Sequence, residues 1–213
     1  DEEFLRLPPE VIITSMKEHQ RYFPVFKNGS LINAFVVVSN ALTSDFSKVV
    51  EGNERVLRPR LSDALFFYNN DLERGLSTDG LEKVIFMKGL GSVADKIQRE
   101  LKLANTLFET YTPNGDKKAL ERSILLAKAD LTSEMVYEFT ELQGIMGYYY
   151  AKALGESDEV ALAIKEQYLP NGEESALPSS ALSAIVAMSI KLDTLISLFS
   201  INQIPTGSRD PFA

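Results

Sequence analysis

The chain has 213 residues, 45% of them hydrophobic, which suffices for one large domain or two smaller ones with real cores. Its formal net charge is −8 and its pI about 4.8, so the surface as a whole repels phosphates and any nucleic-acid contact must come from a local basic patch. The lack of cysteine excludes disulfides, thiolate zinc sites and cysteine nucleophiles, and it fits a reducing compartment.

Pro8-Pro9-Glu10 opens a short helix, because proline fits a first turn and Glu10 suits the positive end of the dipole. Residues 22–39 change period: two β-rich runs flank Asn28-Gly29, the strongest short hairpin signal. The second run ends in AFVVVS, apolar without alternation, which predicts cover on both faces. Residues 51–70 return to helix around a Gly52-Asn53 breaker and hold the one concentration of positive charge, Arg55, Arg58 and Arg60, with Pro59 expected to stiffen their backbone in a turn. Residues 83–87 read as a strand, and Gly89-Leu90-Gly91-Ser92 as a hinge.

From Ser92 onward the pattern is helical. Ser92 caps a helix to about Tyr111, and Pro113 to Asp116 form a turn. Residues 117 to about 144 read as one central helix, and an apolar stripe of Ala127, Leu131, Met135, Phe139, Leu142, Met146 and Tyr149 runs along it and on toward Ala151. Beside that face runs an acidic stripe of Asp130, Glu134, Glu138 and Glu141, read first as a solvated flank and second as a contact surface or metal-site remnant. Gly144 and Gly147 interrupt the pattern, which implies either a turn or the close approach of a neighbouring backbone. Ser157 or Asp158 caps a helix to Tyr168, and residues 178–180 start the last helix, 181–199. Lys191 and Asp193 mark that helix as buried core rather than a membrane span. Residues 207–211 leave the domain.

Chemistry is scarce. With His19 as the one histidine and no cysteine, a metal site would consist of carboxylates and suit Mg²⁺ or Mn²⁺. No serine lies in a nucleophile-elbow pattern, and neither G-x-x-x-x-G-K-[ST] nor G-x-G-x-x-G occurs. His19 reads as a partly buried polar residue at a helix end. The three arginines suit bidentate phosphate recognition, or else pairing with Glu51, Glu54 and Asp63.

Four ordered blocks carry a family resemblance: MKEHQRYFPV from Met16, GNERVLRPRLSDALFF from Gly52, KADLTSEMVYEFTELQGIMGYYYA from Lys128, and PTGSRDPFA from Pro205. Together they resemble the β subunit of the bacterial two-subunit glycyl-tRNA synthetases, of which this chain looks like a central fragment. The resemblance implies an α+β fold. Residues 1–90 would form a mixed α/β module similar to the B3/B4 module of phenylalanyl-tRNA synthetase β chains. Residues 91–213 would form an all-α, degenerate HD-domain helical bundle with the start of an exit linker. Of the metal ligands of an HD domain, the resemblance leaves Asp130 (after Ala129, where the family has His-Asp) and Asp193, with no histidine beyond His19.

It further implies an aminoacyl-tRNA ligase in which glycine, ATP and Mg²⁺ bind the separate α subunit, so this fragment holds no cofactor, no metal and no catalytic residue. Its expected partners are the α subunit, glycine-specific tRNA and the remaining domains of the β chain, in the cytoplasm and without a membrane. Lys17, Arg21, Arg55, Arg58 and Arg60 are then the expected tRNA contacts. The alternative is a residual metal-dependent phosphohydrolase built on Asp130 and Asp193. A third reading is a structural module whose arginines make internal salt bridges.

Overall fold

The computed structural model describes residues 1–40 and 42–204, so the expected exit at residues 207–211 lies outside the described residues, as does the side chain of His19. The chain is mainly helical with two small antiparallel sheets, an α+β composition. It divides into two compact units, residues 1–75 with 133–142, and 76–132 with 143 onward. Residues 76–90 thus group with the second unit, whereas the sequence pattern assigns them to the first.

In the first unit, a 3₁₀ turn (Glu2–Arg6) leads to helix α1 (Pro9–Gln20). Helix α1 ends at Arg21, which adopts the left-handed conformation (φ 56°) and donates its N–H to Lys17 O at 3.2 Å. Strands β1 (Phe23–Lys27) and β2 (Ser30–Val36) follow, joined through Asn28 and Gly29, both at positive φ as a type I′ hairpin turn requires. Helix α2 (Ser47–Arg74) then runs without a break through Gly52-Asn53 and through Pro59. This corrects the expected turn. Leu57, Leu61 and Ala64 bury one face on both sides of the proline, and that packing outweighs the one backbone hydrogen bond Pro59 removes.

The second unit begins with β3 (Ile85–Met87) against β4 (Gly91–Ser92). Helix α3 (Val93–Tyr111) opens with a capping box: Ser92 accepts from Asp95 N–H while Asp95 accepts from Ser92 N–H. Helix α4 (Lys117–Leu126) is capped by Asp116. Leu120, Ile124, Val160, Ile164 and Val186 sit in the core that α3, α4, α7 (Asp158–Glu166) and α8 (Ala181–Ser200) share. By length and composition α8 could cross a membrane. Its Asp193, however, is buried in an ion-pair cluster, and Ile185, Val186 and Ile190 pack into this core.

The single central helix does not form. After α4 come a 3₁₀ turn (Ala129–Thr132), the short helix α5 (Glu134–Glu138), a second 3₁₀ turn (Thr140–Leu142) and α6 (Ile145–Ala153). Specific acceptors cut the pattern at each joint. Asp71 on α2 accepts the N–H groups of Glu134 at 2.8 Å and Met135 at 3.0 Å, and Ser133 caps α5. Asp130 accepts the N–H groups of Gly144 at 2.5 Å and Gly147 at 3.0 Å. Gly144 stands at φ +81° and starts α6, so it is the turn; a Cβ on Gly147 would lie 2.8 Å from Ile164 Cγ2, so the close approach there is that of a side chain and not of the expected backbone. The acidic stripe divides accordingly: Glu138 and Glu141 are exposed, Glu134 pairs with Arg74, and Asp130 is fully buried.

Candidate nucleic-acid interface and buried charge cluster

The five basic residues singled out in the sequence all lie in the first unit, and all are exposed. Lys17 sits in the last turn of α1 and Arg21 caps it. Tyr22 ties this end of α1 to α2, its hydroxyl donating to Asn53 Oδ1 at 2.7 Å. Arg55 pairs with Glu51 at 2.6 Å, and Arg58 with Asp1 at 2.9 Å. Both pairs are on the surface, where such contacts contribute about 0–1 kcal/mol and are readily exchanged for another anion.

Helix α2 also fixes how the arginines point. At about 100° per residue, Arg58 lies about 60° from Arg55 on the same side, whereas Arg60 lies about 200° from Arg58, on the opposite side. The three guanidiniums therefore do not converge as a proline-stiffened turn would make them. Arg55 and Arg58 form one side of a candidate surface and Arg60 belongs to another.

The second unit holds a cluster that the sequence discloses only in part. Asp193, on α8, accepts from Lys96 Nζ at 2.9 Å and from Arg99 Nε at 2.7 Å. Lys96 also donates to Thr194 Oγ1 at 2.8 Å, lies 3.1 Å from Glu100 Oε1, and stands over the Phe86 ring at 4.4 Å. Glu100 is fully buried and, despite that ion pair, neither of its oxygens is in hydrogen-bond geometry. Nearby, buried Lys128 donates to Gln167 Oε1 and, at 3.1 Å, to the Tyr168 hydroxyl, which itself donates to Gln143 Oε1.

Burial sets the protonation tendencies. It pushes the Asp130 carboxyl up to about 6, against the pull of the Gly144 and Gly147 N–H groups and of Lys128. It pushes the Lys128 ammonium down, countered by Glu100 and Asp130, and it raises the Tyr168 hydroxyl. A cleft of about 550 Å³ borders this cluster, with Lys96, Lys128, Gln167, Tyr168, Lys191 and Thr194 among its walls.

The arrangement decides what the carboxylates can do. Asp130 faces two backbone N–H groups, and Asp193 faces two cationic side chains. Among the described residues no group of three or more His, Cys, Asp or Glu could hold a metal ion. Asp193 is thus neutralised by cations of the chain itself, while Asp130 is held by backbone N–H groups. Sequence reasoning does not single out Lys96, Arg99, Glu100 or Lys128. The available signal is Glu100, a charge three residues after Ile97 and four before Ala104, on the face of α3 that those residues bury.

A family profile described as glycyl-tRNA synthetase beta subunit matches residues 1–213. The glycine–tRNA ligase beta subunit of Helicobacter pylori strain HPAG1 is 55% identical over 225 residues, covering 100% of this chain and 32% of the relative. That of Desulforamulus reducens is 47% identical over 217 residues, covering 100% and 31%. That of Coxiella burnetii strain Dugway 5J108-111 is 51% identical over 214 residues, covering 99% and 31%. The chain spans about a third of the length of these curated relatives.

Proposed function

Because the chain belongs to the glycyl-tRNA synthetase beta-subunit family, we propose that it supplies tRNA docking and scaffolding to the ATP-dependent glycylation of tRNA. Glycine, ATP and Mg²⁺ are then handled by the α subunit, with the rest of the β chain as the other partner, in the cytoplasm. The first unit is assigned as the B3/B4-like module. The second is assigned as the degenerate HD domain, a reading supported by the burial of both Asp130 and Asp193 in its polar interior.

The observation that carries the docking role is the exposure of Lys17, Arg21, Arg55, Arg58 and Arg60 on one unit of an otherwise acidic chain. A phosphate displaces Glu51 from Arg55, or Asp1 from Arg58, at little cost because both pairs are solvated. The divergence of Arg60 assigns it to a separate contact. The test uses the assembled enzyme, α subunit with full-length β chain, binding tRNA across a salt series. Replacing Arg55 and Arg58 by alanine is expected to weaken binding and to flatten the salt slope by about one unit for each phosphate no longer neutralised. Unchanged affinity and slope would overturn the docking role.

A further inference from the structure

The hairpin of β1 and β2 is incomplete as a structural layer. The end of β2 and the three residues after it, AFVVVS at residues 34–39, carry the pattern of a strand covered on both faces. In the structure Val36 is exposed and Val38 is 81% exposed, and among the described residues no third strand joins the pair. A two-stranded sheet in water is marginal by itself, and a bare apolar edge invites aggregation.

The two edges are not equivalent. Pro24 of β1 pairs with Phe35. Proline has no N–H, so Pro24 belongs at a position whose nitrogen faces away from β2, and the outer edge of β1 lacks a donor there. In the antiparallel pattern, that same assignment turns the N–H and C=O of Phe35 outward from β2. Counting from the two-residue turn, the Phe26–Leu31 pair is also of the type that turns both groups outward, so Leu31 adds a second donor and acceptor to the free edge. The edge of β2 contains no proline.

Beside that edge lies a groove. One cleft of about 460 Å³ and another of about 440 Å³ share Asn33, Ala34, Phe35 and Glu54 as walls. Asn33, Ala34 and Phe35 wall both clefts where the pairing of β2 with β1 shifts register between Pro24 and Phe26, which sets the groove beside this irregular part of β2. Its other walls are the 3₁₀ turn that packs on β2, through Asp1, Glu2, Phe4 and Leu5, and α2, through Val49, Val50, Leu57 and Leu61; Val50 is 54% exposed. The groove thus offers backbone donors and acceptors on one side and apolar side chains on the other, the two things an added strand uses.

We propose that the free edge of β2 receives an extended, apolar-alternating segment of the same polypeptide from outside these 213 residues. The segment would complete a sheet that packs on α2. The length relation favours this occupant: about two thirds of each curated relative lies outside the matched region, on the same chain and at high effective concentration.

The test uses the purified assembly of α subunit and full-length β chain. Amide exchange at Leu31 and Phe35 is expected to be slowed roughly a hundredfold or more relative to unprotected amides, because both N–H groups would be paired across the new edge. Exchange at the unprotected rate would overturn the proposal. A photo-crosslinking side chain at Val50 identifies the occupant, with Val56, exposed on α2 but not on the groove, as the control. Crosslinks from position 50 to a peptide of the same β chain beyond these residues support the proposal. Crosslinks to the α subunit, to tRNA or to a second β chain would overturn it, as would none at all.

Discussion

Replacing Asp193 by asparagine tests the charge cluster of the second unit most directly. The carboxylate is 3% exposed and accepts from Lys96 at 2.9 Å and from Arg99 at 2.7 Å, while Lys96 is itself 5% exposed. Asparagine keeps the volume and one acceptor but removes the charge, leaving Glu100, whose oxygens lack hydrogen-bond geometry, as the carboxylate beside Lys96. Removing one partner of a buried ion pair costs about 3–5 kcal/mol, and the retained acceptor puts this case at the lower end, about 3 kcal/mol. With a urea dependence of about 1–3 kcal/mol per molar, the unfolding midpoint should fall by about 1–3 M. Far-UV circular dichroism reads the transition, since the unit is helical. The cycle completed with Lys96→Met should show a coupling of about 1 kcal/mol or more, because the double variant removes both charges of the pair. A midpoint for Asp193→Asn within about 0.3 M of the parent would refute the ascribed role of the pair.

Two glycines should respond in opposite directions to alanine. Gly147→Ala forces a Cβ to 2.8 Å from Ile164 Cγ2 and should destabilise by about 1–3 kcal/mol, whereas Gly52→Ala in α2 meets open space and should stabilise by about 0.5–1 kcal/mol; melting temperatures check both signs. The folded-state pKa of Asp130, about 6, lies above its ordinary value of 3.8, so the folded chain binds the proton more tightly. Stability contributed by this group is therefore full below about pH 4 and lost as pH rises toward 6, and Asp130→Asn should flatten the unfolding free energy across that window. Tyr22→Phe removes the 2.7 Å bond to Asn53 and should cost about 1 kcal/mol in thermal unfolding.

The sequence is most legible where the deciding interaction is local. Ser92, Asp116, Ser157 and Ser180 each cap a helix within three residues of themselves, and Asn28-Gly29 makes its hairpin from its own backbone angles. The stretch 117–151 misleads for the opposite reason. Its apolar spacing is helical, and Met135, Leu142 and Met146 are indeed buried, but what divides it are Asp71, sixty-three residues from Glu134, and Asp130, whose role depends on a chain reversal at Gly144. Exposure of the basic residues follows from charge alone; the divergence of Arg60 does not, because it depends on α2 continuing through Pro59. The histidine count disfavours a metal, but the lysines that stand among the buried acids are visible in the sequence only as charges on apolar faces.

The excursion of residues 133–142 has a consequence for how this part of the chain can be handled. The backbone crosses between the two units after Gly75, after Thr132 and again after Leu142. A single protease cut at any one of these crossings leaves the units covalently joined through the others. Nor does any one continuous gene segment encode the first unit whole and alone: a piece ending at Gly75 lacks α5, and with it the backbone N–H groups that Asp71 accepts from. The two units are therefore distinct as compact bodies but interleaved in sequence, and shuffling or truncation that treats residue 75 as a clean boundary removes part of the unit it means to isolate.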